Sequence, residues 1–357
     1  MEIMKGKVNS IFWKNKRIFL TGHTGFKGSW MSLWLQSMGA IVKGYSLEPH
    51  TTPNLFTKAT VGENMDSEIG DIRNLNQISK SMFDFNPDVL IHMAAQPLVR
   101  LSYQEPVDTY TTNVIGTVNV LEAARKCENL KAIISVTTDK CYENREWDWG
   151  YRENESMGGH DPYSSSKGCA ELVTSAYRRS FFNSKNSASL ASARAGNVIG
   201  GGDWSDDRLI PDILKAFEKS EPVIIRNPLS TRPWQHVLEP ISGYLVLAQE
   251  LYTNGDDFAE GWNFGPKDEG CKAVDWILDK MVNNWGAGVS WRLDKNNNPY
   301  EAGFLKLDCS KAANRLKWQP KWHLQETLEM IVKWHQSYLK GNDIKKECLK
   351  EIKKYIN

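Results

Sequence analysis

Tyr163 and Lys167 stand four residues apart in PYSSSKG, where a helical pattern begins. Side chains at i and i+4 share one face of a helix. An ammonium beside a phenol favours the phenolate and lowers its pKa, so this tyrosine is a usable base for a hydroxyl near neutral pH. A second group, TTDKCY over Thr137–Tyr142, ends the apolar run AIISV. Thr138 there can hydrogen-bond the same hydroxyl, and Asp139 and Lys140 place an acid beside a base. The ordinary reading of Asp139–Lys140 is a solvated surface ion pair. The catalytic reading requires the fold to bring both stretches into one cleft.

The elements that must do this are legible as an alternation of strands and helices through the first half of the chain. Arg17–Thr21, Ile41–Tyr45, Asp88–His92 and Ala132–Val136 read as strands, with a further one before GDIR. Lys27–Met38 has Trp30, Leu33, Trp34 and Met38 on one helical face, and Val107–Cys127 and Tyr163–Phe181 read as longer amphipathic helices. Such alternation predicts an α/β, Rossmann-type doubly wound parallel sheet. Beyond Ala193, Gly and Pro become frequent and strands shorten. The predicted division is a cofactor domain over residues 1–195 and a smaller mixed substrate-binding domain over 196–357, with some segments returning to the first. The Lys/Glu-rich tail Lys340–Asn357 reads as a solvated terminal helix.

The first strand runs into GHTGFKG, with Gly22, Gly25 and Gly28 directly before a helix. Glycine permits a tight turn and close approach of backbone amides to a pyrophosphate, and the helix N-terminus adds unpaired N–H groups. The turn therefore predicts dinucleotide contacts from Gly22, Thr24, Gly25, Phe26, Lys27 and Gly28. The second strand ends in Tyr45 and Ser46 where an acidic residue for the ribose is usual, with Glu48 two places late and no Arg for a 2′-phosphate. NAD is favoured over NADP. Asp71 and Ile72 in GDIR are candidates for the adenine, although Asp71 competes with a capping role that Asn74 can also fill. Ala94 and Ala95 are small enough for the nicotinamide half to lie across the sheet edge. His92 reads as a packed strand histidine.

Composition sets limits. Lys+Arg 44 against Asp+Glu 43 leaves a formal charge of +1, which gives no electrostatic case for nucleic acid or an acidic membrane. The six cysteines are scattered without CxxC or zinc spacing, as expected of free thiols in a reducing cytoplasm, and no metal site is expected. The N-terminus lacks the apolar core of a signal peptide, and no apolar run is long enough to span a bilayer. Fourteen Trp is a high count, and Trp204 and Trp234 lie in polar surroundings suited to stacking on a base.

In GxxGxxG, Thr-Asp at the strand tip, YxxxK and RAGNVIG (Arg194–Gly200), the chain resembles the extended short-chain dehydrogenase/reductase family along nearly its whole length. Within it the resemblance is to the nucleotide-sugar 4,6-dehydratases. The stretches GHTGFKGSW, TTDKCY, GYRENESMGGHDPYS, RAGNVIGGGDW and RPWQHVLEP are similar to the branch acting on CDP-glucose. The resemblance implies Thr138, Asp139, Lys140, Tyr163 and Lys167 as catalytic residues, with Tyr163 and Lys167 also touching NAD. It implies a nucleotide sugar held by Gln96, Thr138, Asn197, Arg208, Arg226, Arg232, His236 and Tyr300. It further implies a homodimer or dimer of dimers built on the two long helices. The chain departs from the family at Lys140, where related dehydratases have Glu. Either Lys140 is the carbon-5 base, or Glu143 is and Lys140 stabilises the enolate. An epimerase, a dehydratase for GDP-mannose or dTDP-glucose, and a non-catalytic dinucleotide sensor remain as alternatives. Asp139 argues against the epimerase, and the Thr138, Tyr163, Lys167 set argues against the sensor.

Overall fold

The computed structural model describes residues 6–184, 187–286, 288–294 and 304–357. Its centre is a seven-stranded sheet of β1 (Arg17–Thr21), β2 (Ile41–Ser46), β3 (Asp66–Ile69), β4 (Val89–His92), β5 (Ala132–Val136), β6 (Ser189–Arg194) and β7 (Gly261–Asn263). The spatial order is β7-β6-β5-β4-β1-β2-β3, and every neighbouring pair is parallel. Helices cover both faces, so β4, β5 and β6 are buried at every residue and read as near-continuous apolar or small-residue runs rather than alternating ones. The edge strand β3 (DSEI) is largely exposed, which is why its pattern is faint in the sequence. The chain reverses direction of travel between β1 and β4. In open α/β sheets that switch point is where ligands bind, at the carboxyl ends of the strands.

Helix α1 (Phe26–Ser37) follows β1, and α2 (Leu75–Phe85) is capped by the Asn74 side chain, which accepts from the Gln77 amide at 3.1 Å. The next long helix, α3, begins with Pro at its first position, runs through Pro106–Tyr110, passes a five-residue π segment at Thr111–Ile115 and continues as Gly116–Ala124. A π turn inserts one residue into the helical ladder and re-aims a side chain. Here the re-aimed residue is Asn113. It accepts from the Gln96 amide at 2.8 Å, and its amide group donates to the Gln96 carbonyl and to Ser166 Oγ. One side chain thereby ties the loop after β4 to α4 (Pro162–Ser180), the helix that carries the Tyr/Lys pair. Asp161 caps α4 by accepting from the Ser164 amide at 2.9 Å, with Pro162 at the first helical position.

After β6 the chain forms α5 (Leu209–Glu218), returns with α6 (Leu238–Asn254) and β7 to the first sheet, and adds α7 (Val274–Trp285) and α8 (Leu324–Leu339). Ile213, Phe217, Ile277, Leu328 and Ile331 make a separate core among α5, α7 and α8. The last helix, α9 (Ile344–Ile356), is not simply solvated. Ile344, Cys348, Ile352 and Tyr355 form a buried stripe, and Tyr355 Oη donates to Glu239 Oε2 at 2.6 Å. The six cysteines are free thiols.

Candidate active site

A cavity of about 850 Å³ opens at the switch point, lined by the glycine turn, the tips of β2, β4 and β5, the start of α4, and the segments 195–212 and 224–234. Its first wall is the turn after β1. Gly22 has φ +79°, and a Cβ there would lie 2.8 Å from the Ala94 amide nitrogen; one on Gly28 would lie 2.0 Å from the Gly22 carbonyl oxygen. No side chain caps α1, whose N-terminus begins at Gly25, so its first amides face the cavity uncommitted to a capping side chain. These features fit a dinucleotide pyrophosphate. Thr24, Phe26, Lys27, Ser46, Asp71, Ile72, Ala94 and Ala95 line the same space. Thr24 Oγ1 reaches Ser46 Oγ at 2.9 Å across the turn. The Asp71 carboxylate is gripped by Arg73; burial pushes its pKa up, but the Arg73 hydrogen bonds outweigh this and hold it below the usual range.

The second wall brings Thr138, Asp139, Lys140, Tyr163 and Lys167 together on one lining. Asp139 is 2% exposed, so the surface ion pair is excluded. Thr138 Oγ1 donates to Asp139 Oδ1 at 2.9 Å, and Thr138 also pulls the pKa of the Tyr163 phenol down. Burial raises the Asp139 pKa against the downward pull of Lys140, Thr138 and Arg232, as a general acid requires. Lys167 is pushed down to about 8 by burial, opposed by Glu171. The expected lowering of the Tyr163 pKa is not what the protein's own groups produce. Burial pushes the phenol up to about 12, and the contribution of Thr138 is smaller. Desolvating a phenolate costs more here than the neighbouring charges return. Lys27 is half-buried and pushed down to about 7, by desolvation first and then by the cations of Arg208 and Lys167.

Lys140 is half-buried and lines the cavity, whereas Glu143 does not; its carboxylate turns toward His160, 3.9 Å away, and packs beside Gly158. Of the residues expected to hold the substrate, Gln96, Asn197, Arg208, Arg226 and Arg232 line the cavity. The Gln96 side chain is already engaged, donating to Thr109 Oγ1 at 2.8 Å. Arg208 pairs with Asp203 at 2.9 Å. His236 is corrected: it is fully buried away from the cavity, between Trp30 and Trp322, and its Nδ1 accepts from the Leu238 amide at 3.2 Å. Tyr300 lies outside the described residues. Trp234 lines the cavity; Trp204 packs against Trp334 and Tyr338 instead. Among the described residues no group of three or more His, Cys, Asp or Glu is placed to hold a metal ion.

Two features were not foreseen. Arg100 and Asp207 both line the cavity and meet at 2.8 Å across 107 positions of sequence, a pairing with no local signal. Beneath the site, Glu171 accepts from Thr137 Oγ1 at 2.5 Å, Ser192 Oγ at 2.7 Å and Arg194 Nη2 at 2.8 Å, entirely buried. Arg194 Nη1 donates in turn to Tyr142 Oη at 2.6 Å. This network joins β5, β6 and α4 just below Thr138 and Lys167. Glu171 is one helical turn beyond Lys167, which was the available signal.

A parallel sheet in this order, with a glycine turn at the switch point and a Thr, Tyr, Lys group on β5 and α4, defines a short-chain dehydrogenase/reductase of the extended type. More narrowly, the chain belongs to the GDP-mannose 4,6 dehydratase family, whose model matches residues 19–331. It is similar to the CDP-glucose 4,6-dehydratase of Salmonella typhimurium, 59% identical over 354 residues that cover 98% of this chain and 99% of that protein. Two solved structures share the fold. The dTDP-glucose 4,6-dehydratase of Bacillus anthracis in complex with NAD has a TM-score of 0.75 at 20% identity, covering 92% of this chain and 99% of that one. The dTDP-glucose 4,6-dehydratase of Streptomyces venezuelae, with NAD and TYD bound, has a TM-score of 0.77 at 19% identity and the same coverage.

Proposed function

We propose that this chain converts CDP-D-glucose to CDP-4-keto-6-deoxy-D-glucose and water, as an NAD-dependent hydro-lyase. The observation that carries the reaction is Asp139, a buried carboxyl with a raised pKa beside Thr138 and Tyr163, since an acid at that tip has a purpose only if a hydroxyl is to be expelled. The substrate follows from the 59% identity to the Salmonella CDP-glucose enzyme. When bound, NAD would supply a hydride acceptor for carbon 4 and a hydride donor for carbon 6. The glycine turn, Ser46, Asp71, Ile72, Ala94, Ala95, Tyr163 and Lys167 are the residues that would hold it.

The protein's own groups do the rest. Tyr163 Oη takes the proton of the 4-hydroxyl, with Thr138 orienting that hydroxyl. The resulting ketone acidifies the carbon-5 proton, which Lys140 Nζ removes. Asp139 protonates the departing 6-hydroxyl, and the proton at carbon 5 is then restored. Lys140 is preferred to Glu143 because only Lys140 lines the cavity. A lysine is an effective base only when a good fraction is neutral. Arg208, Arg226 and Arg232, all lining the cavity, are assigned to the diphosphate, where guanidinium forks suit paired oxygens. Trp234 is the candidate to stack on the cytosine.

The division into a cofactor part, 1–195, and a sugar-binding part, 196–357, with α6 and β7 returning to the first sheet, belongs to the same reading. So does a homodimer on α3 and α4, supported by Val107, Ile115 and Leu172, which are 75%, 50% and 61% exposed on those helices. A monomeric mass in solution would contradict it. A cytoplasmic place of action and a role in deoxysugar synthesis for surface polysaccharide such as O-antigen are also proposed. No helix among the described residues is long and apolar enough to cross a membrane. The test is incubation with CDP-glucose, dTDP-glucose, UDP-glucose and GDP-mannose, with and without NAD, read as the 4-keto chromophore in alkali. Product from CDP-glucose is expected; product from dTDP-glucose and none from CDP-glucose would overturn the assignment.

A further inference from the structure

The reaction proposed above leaves the sugar's redox state balanced, yet it leaves two protein groups changed. Over one turnover the 4-hydroxyl proton passes to Tyr163 Oη, and the 6-hydroxyl departs as water with the Asp139 proton. The carbon-5 proton is removed and then restored through the same base. When product leaves, Tyr163 has gained one proton and Asp139 has lost one. A second turnover cannot begin until the phenol has lost a proton and the carboxylate has gained one.

Tyr163, Thr138 and Asp139 are 9%, 6% and 2% exposed and line one cavity. A hydroxyl has one proton to donate and two lone pairs with which to accept. Thr138 Oγ1 donates to Asp139 Oδ1 at 2.9 Å, and Thr138 lines the same cavity as the Tyr163 phenol. Resting on the reaction above, we propose that Thr138 returns this proton at the end of each turnover. The O–H bond at Tyr163 breaks as one forms at Thr138 Oγ1, while the original Thr138 O–H breaks as one forms at Asp139 Oδ1. Phenol plus carboxylate becomes phenolate plus carboxylic acid. The count of protons and charge on the three residues is unchanged, and none enters from solvent.

The direction of transfer has a physical control. Burial pushes Tyr163 up to about 12 and raises Asp139 as well, so on the protein's own groups the transfer runs uphill. A cation placed against the phenol favours the phenolate. Lys167 on the same wall carries that charge, and an oxidised nicotinamide, when bound, would add a second. Thr138 is thus given two tasks, orienting the 4-hydroxyl and coupling the base to the acid.

Thr138→Val keeps the shape of the side chain and removes the hydroxyl. Rapid quenching is expected to show a first turnover approaching one product per site, followed by later turnovers slower by about 10²-fold, the scale of a lost proton-transfer group. Thr138→Ser is expected to abolish the burst and restore steady turnover. A second readout is the infrared carbonyl band of protonated Asp139, identified by its loss in Asp139→Asn. After one turnover it should recover within the turnover time in the parent protein and lag in Thr138→Val. First and later turnovers slowed alike in Thr138→Val, or a carbonyl band recovering at the parent rate, would overturn the relay. Absence of keto sugar from the parent protein would instead remove the reaction itself, and this step with it.

Discussion

Gly196 and Asp139 are packed so closely that a Cβ on the glycine would lie 1.8 Å from Asp139 Oδ2. Gly196, two residues beyond the end of β6, thus sets where the acid at the tip of β5 can stand. Gly196→Ala must displace the carboxyl, because the clash is with the reacting group and not with a flexible side-chain end. Dehydration is expected to slow by about 10²-fold or more while oxidation at carbon 4 continues. Quenching with borodeuteride would count sugars labelled at carbon 4 that retain the 6-hydroxyl. An unchanged rate of keto-deoxysugar formation would show that Asp139 has no fixed place in the reaction.

Lys140 and Glu143 make opposite predictions. Lys140→Met is expected to lower solvent exchange of the carbon-5 proton by about 10²-fold, the usual worth of a positioned base. Glu143→Gln is expected to leave exchange near the parent rate, since its carboxylate does not line the cavity. Near-normal exchange in Lys140→Met would move the base role elsewhere.

Activity and stability should respond to pH in opposite directions. Lys167 loses its proton near pH 8, so turnover should fall as pH rises through about 8. Lys27 and Lys167 are held at about 7 and 8 in the folded protein, below the ordinary 10.5. Above pH 7 the unfolded chain therefore binds more protons at these two sites than the native state. Their cost to folding is complete below that point and is relieved as pH rises. Lys27→Met should be more stable than the parent at about pH 6.5, with a lead that shrinks toward about pH 9. Denaturation midpoints across that range check this; a lead independent of pH would mean that Lys27 is not a destabilised cation.

The Glu171–Arg194 pair supports the site from beneath. Glu171→Ala leaves the Arg194 guanidinium, 4% exposed, without its carboxylate, and should cost about 3–5 kcal/mol of stability. Replacing both residues by Met should cost much less, because no uncompensated charge remains. Denaturant midpoints of the two variants measure the difference. Equal losses would show that packing, not charge, is what the pair supplies.

The parts of this site that were legible in the sequence are those encoded locally. The glycine turn, the Tyr163–Lys167 spacing and the strand-tip Thr138–Asp139 each fit within a few residues, and all meet in the cavity. What depended on tertiary packing was not legible. The Tyr163 pKa moved against expectation because burial, not its helical neighbour, dominates it. His236 sits in the same motif as Arg232, yet only the arginine reaches the cavity. Arg100 and Asp207 have no local pattern joining them, and β3, polar and exposed, was marked only by the GDIR that follows it. The π segment at Asn113 has no composition of its own; its cause is the loop it must hold.

The central claim is an internal transfer of hydrogen from carbon 4 to carbon 6 with loss of water between. CDP-glucose carrying deuterium at carbon 4 tests it most directly. The expected product is CDP-4-keto-6-deoxyglucose with the deuterium at carbon 6, read by NMR and mass. Deuterium lost to solvent, or recovered at carbon 4 of an inverted sugar, would contradict it.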